Sequence, residues 1–259
     1  ALTCLIAGRP APAAEICRSM DLDQAAVVFG VTVCTHPDMD GPAVGHVIAV
    51  ASEYLDNDED GKPDDPKVAA ALAKARATLL VVPDEDAFEI AQGGGAAKGG
   101  PEPVLQPVFA DDIVSGGAAR GEFDATLEEV LHVITQAGYA RAYPDVFGAR
   151  PGTAIADAMD AARGGRFPQV PAHYPDGAWF TYDDETCAYD CMVAEYFYWA
   201  LTSLLGGQDF PGRPEEIAPE WRAPTPAAMR EIDHAGTALL TDPARKLPRR
   251  LPDGRYTPR

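Results

Sequence analysis

From Cys191 to Gly207 the chain reads Cys-Met-Val-Ala-Glu-Tyr-Phe-Tyr-Trp-Ala-Leu-Thr-Ser-Leu-Leu-Gly-Gly, and Glu195 is its only Asp, Glu, Lys or Arg. A helix that is apolar nearly all round has to be buried, so other elements must wrap this one. A lone carboxylate inside such a helix is costly unless it is protonated, paired or bound to a cation. Glu195 therefore needs a partner: an arginine, a buried tyrosine hydroxyl or a metal ion. The acidic run Tyr182-Asp-Asp-Glu185 is expected at the start of this helix, where carboxylates favour the positive end of the macrodipole.

A second helix is predicted over Thr126–Gly138. Leu127, Val130, Leu131 and Ile134 recur at helical spacing and mark its inward face, which leaves Glu128 and His132, four apart, together on the flank. Such a pair reads in two ways. It is a solvated ion pair contributing about 0.2–0.5 kcal/mol, or it supplies two metal ligands. The run Glu128-Glu-Val-Leu-His132 resembles the HExxH helix of zincin metallopeptidases, with Glu128 in place of the first histidine. The resemblance implies that Glu128 and His132 bind a metal and that Glu129 is the general base. In the gluzincin group the third ligand is a glutamate on a later helix, a role Glu195 matches in type and order. A tyrosine such as Tyr139 or Tyr143 would then steady an oxyanion, and His173 is the candidate substitute ligand. His36, His46 and His234 stand isolated in the sequence. Carboxylate oxygen binds zinc, but a set of two carboxylates and one imidazole weakens its Lewis acidity and also suits harder ions such as manganese or iron.

The third informative stretch is Asp56-Asn-Asp-Glu-Asp-Gly-Lys-Pro-Asp-Asp65. It resembles the DxDxDG calcium loop of EF hands, with Asp56, Asp58, Asp60 and Asp64 at the first, third, fifth and ninth positions and Gly61 at the sharp turn. Lys62 falls at the seventh position, which in that family contributes its main-chain carbonyl. Lys67 occupies the place of the closing glutamate, so Asp65, a distant residue or water would complete the shell. Calcium takes about six to eight hard oxygens, and crowded carboxylates repel without a cation among them. The alternative is a solvated acidic loop.

The formal charge of −19 over 259 residues argues against nucleic acid or an anionic membrane as a partner. Residues 241–259 oppose the trend: six Arg/Lys against Asp242 and Asp253 give this segment +4 and leave −23 on the rest. It reads as an extended basic strap lying on the acidic body. No apolar run approaches the roughly 18 residues needed to cross a bilayer, so no transmembrane segment is expected. Of five cysteines, Cys4 and Cys17 lie in a Pro/Ala-rich amino-terminal segment where a staple would do most, and Cys187 and Cys191 are one helical turn apart. Cys34 is the fifth. These pairs point to a secreted or extracellular protein.

Strands are expected at 25–34, 77–83 and 104–113, and helices at 41–55, 65–76, 84–92 and near 153–163. The glycine-rich stretch 92–100 lacks a P-loop ending and reads as a connection. The order is that of an α+β protein with a mixed sheet in the amino-terminal half and a mainly helical carboxy-terminal half. Zincins are built in this order, and the resemblance covers roughly residues 25–205. We expect an extension over 1–24, one zincin-like domain over 25–240 and the strap over 241–259. The expected function is a calcium-binding, zincin-like metalloprotein with an altered Glu/His/Glu site for zinc or another transition metal and a peptide or protein partner; the resemblance implies a metal-dependent hydrolase acting on peptide bonds. Two alternatives remain: a non-catalytic binding or matrix protein on the same fold, and an intracellular enzyme unrelated to zincins.

Overall fold

The computed structural model describes residues 12–94 and 102–259. Cys4, residues 95–100 of the glycine-rich stretch and Pro101 lie outside them. Helix α1 (Pro12–Ser19) leads into the sheet. The apolar run expected as one strand is a hairpin, β1 (Asp23–Val28) pairing antiparallel with β2 (Val31–Thr35). The chain reverses at Phe29 and Gly30, both at positive φ, and a Cβ on Gly30 would stand 2.4 Å from the Ala69 carbonyl oxygen. Glycine is required there by both the turn and the close approach. Composition is equally β-branched on either side of this turn, so an apolar-run criterion misses it.

Helix α2 (Gly41–Leu55) is capped by Asp40, whose carboxylate accepts the Ala43 N–H at 2.6 Å, and α3 (Pro66–Ala75) is opened by Asp65 and Pro66. Strand β3 (Thr78–Val82) is buried at every residue and is followed by α4 (Glu85–Gly94) and β4 (Leu105–Phe109). The sheet order is β1-β2-β3-β4, with β2, β3 and β4 parallel and β1 antiparallel, which makes it mixed with β4 at one edge. Strand β4 ends at Phe109, and a 3-10 turn and the short α5 (Gly117–Arg120) intervene before the next helix.

That helix, α6 (Thr126–Val133), continues into a π-helical segment over Ile134–Tyr139 and a last turn, α7 (Ala140–Ala142). Helix α8 (Ala154–Ala162) precedes α9 (Tyr189–Leu204), in which every residue from Met192 to Ser203 is buried, as an apolar helix demands. Because α9 begins at Tyr189, the acidic run Tyr182–Glu185 lies in the loop before it and not at its first turn. Helices α10 (Arg213–Ile217), α11 (Pro226–Ile232) and α12 (His234–Thr241) complete the carboxy-terminal half. The fold is α+β, with the sheet in the first half and helices in the second.

Cys17 is bridged to Cys34, joining α1 to β2, so it does not pair with Cys4; Cys187 is bridged to Cys191 at the start of α9. Closing the Cys17–Cys34 loop, 17 residues in sequence separation, removes denatured-state entropy equivalent to about 3 kcal/mol. Of the strap expected over 241–259, Thr241 ends α12 and Pro243–Arg245 form a 3-10 turn, while residues 249–259 lie along the end of α2 and the acidic loop. Glu53 accepts the main-chain N–H groups of Asp253, Gly254 and Arg255, and the Asn57 side-chain oxygen accepts those of Arg249 and Arg250. Among the described residues no helix is long and apolar enough to cross a membrane.

Candidate metal centre

Helix α6 turns Glu128, Glu129 and His132 toward α9, and α9 returns Glu195. The ligand atoms of Glu128, His132 and Glu195 lie within 4.8 Å of one another. His132 Nε2 stands 3.6 Å from Glu195 Oε2, too far for a hydrogen bond, and it has no other partner although the residue is only 7% exposed. A buried ring nitrogen without a partner forfeits its hydration with nothing in return. Two donors each about 2.0–2.2 Å from one tetrahedral zinc ion stand roughly 3.3–3.6 Å apart, so the observed separation fits a shared ion without rearrangement. One nitrogen and two carboxylates also leave a fourth position open.

The surroundings hold these groups in place. His132 Nδ1 is 3.9 Å from Glu129 Oε2, and Glu129 Oε2 accepts a hydrogen bond from Gln106 on the edge strand β4. Tyr198 donates to Glu128 and accepts from Gln208 Nε2 at 3.0 Å, and its ring meets that of His132 edge-on at 6.1 Å. Burial pushes the Glu195 carboxyl well up, and the nearby charges of Glu128, Glu220 and Glu129 push it further. Burial raises Glu128 as well, and it shares a hydrogen bond with Glu195. Burial, then the charges of Glu128 and Asp112, raise Glu129 to about 8, while burial lowers His132 to about 4. Without a cation the cluster is therefore a neutral imidazole beside carboxyls whose hold on their protons is raised, Glu195 and Glu129 more than Glu128. A divalent ion would take the place of those protons.

Glu128 and Glu195 line a cleft of about 1050 Å³, shared with His173, Tyr182, Arg213 and Glu220. His173 faces the same cleft, but it does not belong to the ligand group. Tyr139 and Tyr143 point elsewhere: the first donates to the Lys246 carbonyl at 2.9 Å and the second to Asp65 at 2.6 Å, so neither serves this site. Tyr198 was findable, three residues after Glu195 on the same helix. Arg213 and Glu220 sit on a short helix and a loop with no periodicity to reveal them. His46 is not isolated; its Nε2 is 2.7 Å from the buried Asp124, which also accepts the Thr126 N–H at the start of α6.

A second group, Asp56, Asp58 and Asp64, also brings ligand atoms within 4.8 Å. Asp56 is fully buried and accepts the N–H groups of Asp60 and Gly61 and the Tyr256 hydroxyl. Asp60 stays outside the group, because its carboxylate accepts the N–H and the ammonium of Lys62. Asp65 is occupied by the Lys67 N–H and the Tyr143 hydroxyl. The chain matches no known protein family, no curated protein and no solved structure.

Proposed function

We propose that this chain is a metal-dependent hydrolase in which Glu128, His132 and Glu195 hold a zinc-class ion at the floor of the cleft, on a fold ordered like a zincin. The buried, unpartnered His132 Nε2 facing Glu195 carries the reading. When bound, such an ion supplies Lewis acidity, polarising a carbonyl and making water a better nucleophile. Glu129, one turn from His132 and fixed by Gln106, takes the proton from the attacking water and later delivers it to the leaving amine. Tyr182, on the cleft wall and close enough to feel the charge of Glu195, takes the oxyanion-steadying role that Tyr139 and Tyr143 cannot. Peptide bonds are the substrate class that the resemblance implies. Asp56, Asp58 and Asp64 hold calcium as a staple, and the two disulfides support a secreted protein.

One observation favours a second reading. Glu128 in the place of an imidazole reduces the Lewis acidity of any bound ion, and this fits a non-catalytic metal-binding protein on the same fold. Elemental analysis of protein purified without chelator, together with peptide hydrolysis, separates the two. His132→Ala should lose the transition metal and keep the calcium; unchanged metal content would remove α6 from the site. Glu129→Gln should retain the metal and lose about 10²–10⁴-fold in turnover. Loss of metal in this variant would instead make Glu129 an orienting partner of His132 through Nδ1.

A further inference from the structure

The cleft over the candidate metal centre has a one-sided charge. Beyond Glu128 and Glu195 its walls carry Asp183, Glu185, Glu216 and Glu220, and against them the one Lys or Arg in the lining, among the described residues, is Arg213. That guanidinium is already committed. Its Nη1 donates to Glu216 at 3.0 Å and its Nε to Gln208 at 2.9 Å, and it stacks 4.0 Å over the Phe123 ring. Glu216 and Arg213 therefore pair with each other, Arg213 reaches Glu220 only as a nearby charge, and among the described residues Asp183, Glu185 and Glu220 form no ion pair. Glu220 is held in place by the Trp199 indole, which donates to its Oε1 at 2.8 Å. Trp199, Tyr174 and Tyr182 line the same space. Carboxylates set among aromatic faces are the surroundings that a desolvated ammonium or guanidinium prefers, through ion pairing and attraction to the ring quadrupole.

We propose that this cleft binds the lysine or arginine side chain of a peptide substrate, with Glu220 and Asp183 as the groups that select it. The proposal rests on the hydrolase reading for the word substrate, but not for the binding itself, because the charged walls exist whether or not a metal is held. Glu220, anchored by the indole, meets the cation in the interior of the cleft, and the exposed Asp183 meets it at the rim. An acidic side chain entering the same space would be repelled by three unpaired carboxylates.

The test uses the wild-type protein, its metal content measured, with a fluorescent peptide carrying N-methylated amides that resist hydrolysis. Three versions differ at one position, which is lysine, norleucine or glutamate. The lysine peptide should bind at least about tenfold more tightly than the norleucine one, with a difference that shrinks as salt rises. Glu220→Gln keeps an acceptor for the indole and Asp183→Asn is an exposed change; the pair should erase the difference and leave norleucine binding unchanged. Equal affinity for lysine and norleucine, or a preference for glutamate, overturns the proposal even if the metal is present. A lysine preference in a protein that holds no transition metal sustains the proposal and defeats the hydrolase reading. Spermidine displacing the lysine peptide at an equal or lower concentration than the peptide's own dissociation constant would assign the cleft to free polyamines and overturn the peptide assignment.

Discussion

At the scale of single residues, the protons on the α6 and α9 carboxyls set the pH behaviour of the metal-free protein. Glu129 titrates near 8 in the fold against an ordinary 4.5, so its contribution to stability is complete below about 4.5 and is lost as pH rises through 8. Glu128 and Glu195 are shifted in the same direction. His132 works the other way: lowered from 6.5 to about 4, it contributes fully above 6.5 and loses that contribution as pH falls toward 4. Between pH 6.5 and 8.5 only the carboxyls act. The melting temperature of chelator-treated protein should therefore fall across that window, and saturating zinc should reverse the slope, because bound ligands no longer need protons. Glu129→Gln should flatten the metal-free slope. A melting temperature independent of pH over this range in the metal-free wild type would mean that these carboxyls are not desolvated as described.

At the scale of elements, the π-helical segment that follows α6 is the part of this helical stretch that packs most against α3. Gly138 lies in it, and a Cβ there would come within 2.9 Å of Val68 Cγ1 and 3.1 Å of Leu72 Cγ, both on α3. Gly138→Val should cost about 1–3 kcal/mol through overpacking and displace α6, so denaturant melts should show the loss and metal affinity should fall with it. A variant equally destabilised by removing the Cys17–Cys34 bridge, far from α6, should keep its metal affinity; if both lose metal alike, the π segment has no special part. The period of 3.6 over Leu127, Val130, Leu131 and Ile134 made the inward face of α6 legible, and the lone Glu195 made α9 and its need for a partner legible. The π turn was not, because widening one turn leaves the apolar pattern before it intact. The hairpin at Phe29–Gly30 was hidden for a related reason: its two strands share one composition, and the glycine is explained by a contact with Ala69 far along the chain. The cleft walls at Arg213 and Glu220 come from segments too short to carry a pattern, so only their packing on α9 identifies them.

At the scale of the whole molecule, charge and topology meet in residues 249–259. They carry Arg249, Arg250, Arg255 and Arg259 against Asp253, a net +3, so removing them takes the formal charge from −19 to −22. The loss is concentrated where the acid is densest. Tyr256 donates to Asp56, Arg259 N–H to the Glu59 carbonyl, and Arg249, Arg250 and Arg259 line the same hollow of about 610 Å³ as Asp58, Asp60 and Asp64. Two contributions hold the strap down, and they differ in salt dependence. Hydrogen bonds to Glu53 and Asn57 and the burial of Pro252 are short-ranged, whereas relief of repulsion among the loop carboxylates acts over a Debye length of about 10 Å at 0.1 M salt. Deleting 249–259 should lower the melting temperature more at about 20 mM salt than at about 300 mM, where screening already does part of the strap's work. Calcium should restore more of the melting temperature in the shortened chain than it adds to the full one, since Asp56 is relieved of the tyrosine hydroxyl and the loop has lost its arginines. Differential scanning calorimetry of both chains, with calcium and with chelator at the two salt concentrations, measures each term. A loss that is the same at both, with calcium adding equally to the two chains, would mean that the strap holds by packing and hydrogen bonds alone and that the acidic loop does not depend on its charge.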